Sequence, residues 1–347
     1  MSSKSGLLGL LRAKWNPPAL PTTSFARKTV LITGSNTGLG FHAAQHFARL
    51  GAEHVILGVR NISKGEAARK KLMKSANGTR ISVLPLDMNN YTSVTRFVGR
   101  MGTEYPRIDI AVLNAGIYNM HYKTSPEGWE ETLQVNTLST TLLAILLLPI
   151  LQHTKQSDPL STPHLILVSS GRHAAISPSS IPTPPAPILS SFNTPPKPTT
   201  PYNASQQYQI SKLLLMYTLK PLASLATTSG GEAQVLVTSC CPGLCASDLS
   251  RGVPWYLIWA AWLFFKIFGR TTEEGSRTLV SACSLGEEAQ GGYWKDDELK
   301  RPGDMVTSKE GKRVGEQVWR EIVDVLRKEV LGPVPKLEEL VEGQGQA

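Results

Sequence analysis

The stretch Lys28-Thr29-Val30-Leu31-Ile32-Thr33-Gly34-Ser35-Asn36-Thr37-Gly38-Leu39-Gly40 decides the fold. Residues 28–33 are a β-branched apolar run that Gly34 ends, which is the signature of a short strand. Gly38 then opens a helical pattern over 38–50. A strand, a glycine turn and a helix N-terminus in direct succession make an anion-binding corner. The glycines let the backbone approach closely, and the first helical N–H groups and the positive dipole end meet a pyrophosphate. Gly34, Ser35, Asn36, Gly38, Leu39 and Gly40 are the candidate contacts. A glycine turn without a ligand is the alternative.

Working outward, strand patterns recur at 54–59, 81–86, 108–113, 164–168 and 234–239, with a short one at 291–294. Helical patterns lie between them, among them 91–101, 207–225 and 271–285. This alternation predicts an α/β fold: a doubly wound, mostly parallel, seven-stranded sheet with helices on both faces. One domain over 28–331 is expected, after an N-terminal extension (1–27) and before a loose tail (332–347). The helix predicted over 127–152 is apolar nearly all round, and burial in the core or in a subunit contact is favoured over a membrane span. Residues 176–207 carry nine of the 24 prolines and read as a surface insertion beside the substrate cleft. Helix 308–331 repeats Val314, Val318, Ile322 and Val325 at helical spacing and should pack one face on the body.

Composition narrows the class. The chain has 347 residues, 41% of them hydrophobic, enough for a large core, and a formal charge of +9. Its basic residues are scattered, without a basic run interleaved with stacking aromatics, so no nucleic-acid partner is expected. Cys240, Cys241 and Cys245 lack a Cys-x-x-Cys or histidine companion and read as small buried side chains, not as a metal site. The apolar stretch 6–11 is too short for a signal-peptide core or a membrane span, so a cytoplasmic location is expected.

After the second strand the chain continues Arg60-Asn61-Ile62-Ser63-Lys64, with no acid in reach of a ribose 2′-OH. The planar fork of Arg60 suits a 2′-phosphate, which favours NADP(H) over NAD(H); an ordinary solvated arginine is the alternative. Asp87 closes the third strand and is a candidate for the adenine amino group, or simply a turn acid. Tyr208 and Lys212, at i and i+4, share one helical face. A phenol is a poor acid-base catalyst at neutral pH, and a cation beside it favours its ionised form.

Together these motifs resemble the short-chain dehydrogenase/reductase superfamily, in the retinol-dehydrogenase-like branch found in filamentous fungi. The resemblance spans 24–294. It rests on Thr33-Gly34-x3-Gly38-x-Gly40, Asn114-Ala115-Gly116, Val135-Asn136, Ser169-Ser170, Tyr208-x3-Lys212 and Pro242-Gly243. Arg60-Asn61-x2-Lys64-Gly65-Glu66 resembles the NADP-preferring branch, and Thr271-Thr272-Glu273-Glu274-Gly275 a later helix of fungal members. The resemblance implies a Rossmann-like fold and a nicotinamide cofactor. It implies that Tyr208 exchanges the proton, and that Lys212 lowers the phenol's pKa and holds the ribose. Ser170 rather than Ser169 would orient the reacting oxygen, and Asn136 would hold a water. Asn114, Ala115, Gly116, Pro242 and Gly243 would line the cofactor site.

The implied reaction interconverts a ketone or aldehyde and an alcohol on a bulky apolar or aromatic small molecule, in secondary metabolism. A catalytically silent NADP(H)-binding sensor or scaffold is the alternative from another class. Tyr208 follows Ser170 by 38 positions, farther than in the family, and the Pro-rich insertion fills the excess. The aromatic segment 250–270, with Trp255, Trp259 and Trp262 on one helical face, falls where the family keeps its substrate lid. A peripheral membrane contact or a homodimer contact remain open for it.

Overall fold

The computed structural model describes residues 3–76, 78–246 and 258–331. In chain order its main elements are α1 (Ser3–Trp15), β1 (Thr29–Thr33), α2 (Gly38–Arg49), β2 (His54–Val59), α3 (Ile62–Met73) and β3 (Arg80–Pro85). Then come α4 (Tyr91–Glu104), β4 (Ile110–Leu113), α5 (Glu131–Ser157), β5 (His164–Val168), α6 (Ala204–Leu225) and β6 (Leu236–Cys241). The chain ends with α7 (Ile258–Phe268), α8 (Thr272–Ser281), β7 (Tyr293–Lys295), β8 (Glu298–Leu299) and α9 (Lys309–Leu326).

The strands form one sheet in the order β3-β2-β1-β4-β5-β6-β7-β8, parallel except for the last pair. Every residue of β1, β2, β4, β5 and β6 is buried, because helices cover both faces. Alternation along each strand divides the core in two. Leu31, Ile56, Ala111, Leu113, Leu165 and Leu167 face the side covered by α4, α5, α6 and α9. Val30, Ile32, Val55, Leu57, Val112 and Ile166 face α2, α3 and α8. Winding reverses between β1 and β4, so the carboxyl ends of these neighbours open a crevice, which is where open α/β sheets bind ligands.

The sheet has eight strands where the sequence predicts seven. The eighth, β8, folds back on β7 through Asp296 and Asp297, both left-handed at φ 53° and 56°. Two-residue hairpin loops of this kind favour Asn-Gly, and an Asp-Asp pair signals the turn only weakly. Helix ends differ by a few residues from the apolar pattern where asparagines cap them. Asn61 accepts from the Lys64 N–H and Asn203 from the Gln206 N–H, so α3 and α6 begin earlier than the apolar pattern suggests.

Helix α5 is long and apolar enough to cross a membrane, yet 83% of its apolar window is buried inside the molecule. Before α6 begins at Ala204, the helical turns of the Pro-rich insertion are short 3₁₀ pieces, as its prolines require. It is nevertheless anchored: Ile176, Ile181, Ile188 and Leu189 are buried in the main core. The Glu321 carboxylate of α9 accepts from the Ile188 and Leu189 N–H groups at 3.0 and 2.7 Å. The predicted tail beyond residue 331 lies outside the described residues, as does Trp255.

Candidate active site

The loop between β1 and α2 is fixed before any ligand enters. Gly34 takes φ +63° and Gly38 φ +60°, a region that costs other residues energy. A Cβ on Gly34 would lie 2.9 Å from the Ala115 Cα. One on Gly40 would lie 2.6 Å from the Gly34 carbonyl oxygen and the Asn114 Nδ2. Asn114 Nδ2 donates to the Thr33 oxygen at 2.9 Å, and Thr33 Oγ1 accepts from the Ala115 N–H at 2.9 Å. The glycine loop and Asn114-Ala115-Gly116 are therefore one interlocked unit across the β1–β4 crevice. Ser35 is buried, its hydroxyl turned inward to the Ile32 oxygen at 2.9 Å, so it offers a ligand only its backbone.

Beside this loop opens a cleft of about 550 Å³ lined by Asn36, Gly38, Phe41, His42, Lys64 and Lys71, among others. Two lysines of α3 thus face the N-terminus of α2. Arg60 is exposed at the end of β2 and does not line the cleft, whereas Lys64 does. Asp87 is occupied locally: its Oδ1 accepts from the Asn89 N–H at 3.0 Å, the turn-acid role. Leu39 and Pro242 both pack close to Gly275, where α8 passes under the loop.

The second cluster gathers at the carboxyl ends of β4 and β5. Helix α5 contains a π-helical stretch, Gln134–Ser139, that carries Asn136. Asn136 Oδ1 accepts from the Ile117 N–H at 2.8 Å. Its Nδ2 donates to the Ile117 oxygen at 2.9 Å and to Ser211 Oγ at 3.0 Å. A Cβ on Gly116 would lie 3.2 Å from Asn136 Oδ1 and 3.6 Å from Lys212 Nζ, so both polar groups converge on this glycine.

Lys212 is buried and donates to the Val168 oxygen at 2.9 Å. Burial lowers its ammonium from the usual 10.5 to about 8. Its Nζ stands 6.0 Å from the centroid of the Tyr208 ring. Burial also pushes the Tyr208 phenol up to about 12, against a hydrogen bond with Ser170 and the nearby charge of Arg172. Ser170, not Ser169, reaches Tyr208; Ser169 is buried with its hydroxyl unpartnered among the described residues. Desolvation, rather than the Lys212 charge, dominates the phenol in this arrangement. Gly243, at φ +82°, packs against the buried Arg270.

Four neighbours are not assigned to the site by the sequence. Ser211 donates to the Tyr208 oxygen at 2.9 Å and braces Asn136. Tyr118 stacks its ring at a tilt 5.4 Å from that of Tyr208. Arg172 donates to Ser205 Oγ at 3.0 Å, one helical turn before Tyr208. Cys241 Sγ accepts from the Gly171 N–H at 3.1 Å. Only Arg172 left a signal, as a cation two residues after Ser170. A glycine loop fitted to a dinucleotide, a cationic cleft beside it, and a phenol, an ammonium and a hydroxyl in one crevice suit a nicotinamide cofactor and acid-base chemistry at a substrate oxygen.

Comparison with known proteins agrees with this geometry. Residues 28–170 match the short chain dehydrogenase family model. The chain is 44% identical over 320 residues to the short-chain dehydrogenase/reductase phmF of Phaeosphaeria nodorum, covering 91% of each chain. It is 42% identical to the short-chain dehydrogenase/reductase ffsI of Aspergillus flavipes, covering 94% of each. The Pseudomonas aeruginosa RhlG/NADP active-site complex superposes with TM-score 0.58 at 21% identity, over 80% of this chain and 97% of that one. L-sorbose reductase from Gluconobacter frateurii, complexed with NADPH and L-sorbose, gives TM-score 0.58 at 20% identity, over 79% and 97%. At these identities the two structures speak for the fold alone.

Proposed function

The chain belongs to the short-chain dehydrogenase/reductase family and is an oxidoreductase; from that premise we propose that it uses NADP(H) to interconvert a carbonyl and an alcohol on a bulky, apolar or aromatic small molecule. The observation that carries the reading is the cluster beside the glycine loop: Asn136 and Lys212 converge on Gly116, Lys212 Nζ lies 6.0 Å from the centroid of the Tyr208 ring, and Ser170 hydrogen-bonds the Tyr208 phenol. The choice of NADP(H) is supported by Lys64 and Lys71 facing Asn36 across the cleft, without an acid among its lining residues. A 2′-phosphate there would meet ammonium groups and the helix N-terminus together. By resemblance to fungal members we place the reaction in secondary metabolism.

In this reading the bound dinucleotide supplies or accepts the hydride. The protein's residues handle the proton. At about 12 the Tyr208 phenol is protonated at neutral pH, the state that donates to a carbonyl oxygen when the reaction runs as a reduction. Ser170 shares that oxygen and holds it against the phenol. When the proton leaves Tyr208 Oη, the phenolate is met by the Ser170 hydroxyl and the Arg172 charge. Lys212, an ammonium for the most part at pH 7, holds the ribose side of the site from Val168. Asn136 is locked to Ile117 and Ser211, which keeps the loop after β4 and the turn before Lys212 in register.

The experiment is NADPH consumption against a panel of bulky aromatic and polyketide-like ketones, with Tyr208→Phe as control. Turnover by the wild type and its loss in Tyr208→Phe, with NADPH still bound, is the expected result. Full turnover by Tyr208→Phe would remove the phenol from the mechanism, and binding without turnover of any substrate would leave a sensor.

A further inference from the structure

Two helices from opposite ends of the chain, α1 and α7, pack on one another and leave apolar side chains in water. On α7, Trp259 is 78% exposed and Trp262 52%, and Leu263, Phe264 and Ile267 are also exposed. On α1, Leu8 and Trp15 are 66% and 80% exposed. The rings are ordered against each other: Trp259 and Trp262 meet edge-on at 6.2 Å, and Phe264 touches Phe265 and Phe268 at 5.8 and 5.1 Å. Scattered surface hydrophobics need no explanation, but two packed helices exposing three tryptophans do.

The pair is held as a unit. Arg270, 2% exposed, donates from Nε to the Ala13 oxygen at 3.0 Å and from Nη2 to the Asn16 oxygen at 3.1 Å, closing the end of α1. Its Nη1 pairs with Asp296 at 2.8 Å. A buried guanidinium thus fixes the aromatic surface to the rigid sheet end.

Charge chooses the occupant. No Asp or Glu occurs before Glu53, and none between Asp248 and Glu273. Both helices are therefore free of acids, while carrying Arg12, Lys14 and Lys266. Lys14 leans on Glu274 at 3.8 Å. Arg12 and Lys266 have no acid partner among the described residues, and Lys266 lies 4.6 Å over the Trp262 ring. Indole rings and cations on two helices that themselves carry no acid match the boundary between acyl chains and anionic headgroups. A second copy of this chain would bring the same cations face to face, which like-charge repulsion disfavours.

We propose that α1 and α7 together form a docking surface for an anionic lipid bilayer, on which the enzyme sits without spanning it. Juxtamembrane cations each contribute enough that losing two weakens attachment roughly 25-fold.

The full chain is incubated with phosphatidylcholine vesicles containing about one-third phosphatidylserine, and with pure phosphatidylcholine vesicles, then sedimented. Binding to the anionic vesicles with a blue shift of tryptophan emission is expected, released by about 0.5 M salt. Arg12→Gln/Lys266→Gln should lose most of it, and Trp259→Ser/Trp262→Ser should abolish it while keeping the wild-type circular dichroism and melting temperature, because these side chains are exposed. No sedimentation of the wild type overturns the proposal. So does equal binding to neutral vesicles, or a dimer in solution that the tryptophan variant converts to monomer without any vesicle binding. None of these readouts depends on a substrate or on turnover.

Discussion

Replacing Lys212 by methionine should abolish activity and make the apoprotein more stable. The Lys212 ammonium is buried, and burial lowers it from 10.5 to about 8. At pH 7 the folded chain therefore carries a charge it would rather lose, a cost of about 3 kcal/mol. The ammonium also donates to the Val168 oxygen at 2.9 Å, and leaving that acceptor bare returns about 1 kcal/mol. Methionine fills a similar volume without charge, so the net gain is about 2 kcal/mol at neutral pH. The pH dependence gives the sign. Between about 8 and 10.5 the unfolded chain holds a proton on Lys212 that the folded chain has shed, so wild-type stability rises with pH across this window. The burial cost falls to roughly half by about pH 9.5, and the advantage of the variant shrinks with it. Urea denaturation of both apoproteins at pH 7 and 9.5, followed by circular dichroism, measures this. A Lys212→Met variant less stable than wild type at pH 7, or a gap that widens as pH rises, would refute the reasoning.

Lys64→Ala removes a cation from the cleft beside Asn36 and should weaken NADPH binding roughly 10-fold or more while leaving NADH binding nearly unchanged, as read by fluorescence titration. Gly40→Ala puts a Cβ 2.6 Å from the Gly34 oxygen and 2.9 Å from the Ser35 Cα; backbone must shift, so stability should drop about 1–3 kcal/mol and cofactor affinity should fall in the same titration. Glu321→Ala strips the acceptor from the Ile188 and Leu189 N–H groups, and the melt should show a loss of about 2–4 kcal/mol with faster proteolysis within 180–203. Unchanged proteolysis would mean that other contacts hold the insertion.

The parts of the fold legible in sequence were those with a regular period or a glycine that backbone geometry demands. The strands β1, β2 and β5 are apolar runs buried on both faces, and a run of that kind cannot hide. The glycine loop was legible because Gly34 and Gly38 need positive φ and Gly40 needs close approach. The hairpin that adds β8 rests on two left-handed aspartates, which carry no such signal. Within the site, the residues that make long-range contacts escaped. Ser211 is marked by no spacing, though it links Asn136 to the backbone of Tyr208. The sequence offers Arg60 and Lys64 in one motif, yet only Lys64, inside α3 after its Asn61 cap, lines the cleft.

The long separation between Ser170 and Tyr208 is the feature that sequence could least resolve, and its resolution is physical. Glu130 is fully buried at the start of α5, the helix that carries Asn136. Its Oε2 accepts from the Leu133 N–H and from Gln207 Nε2, both at 2.9 Å, and its Oε1 accepts from the Tyr202 hydroxyl at 2.9 Å. Gln207 directly precedes Tyr208, so one carboxylate ties the exit of the insertion to the element bearing another candidate site residue. At the middle of the insertion Glu321 makes the second tie, to α9, which packs on the same face of the sheet as α5 and α6. Once both ties are made, extra residues between them cost little: each doubling of a flexible loop adds only about 0.6 kcal/mol of closure entropy. The position of Tyr208 is set by Glu130 and by the packing of α6, and not by the number of residues since Ser170. An insertion here can therefore grow or change its prolines without moving the phenol.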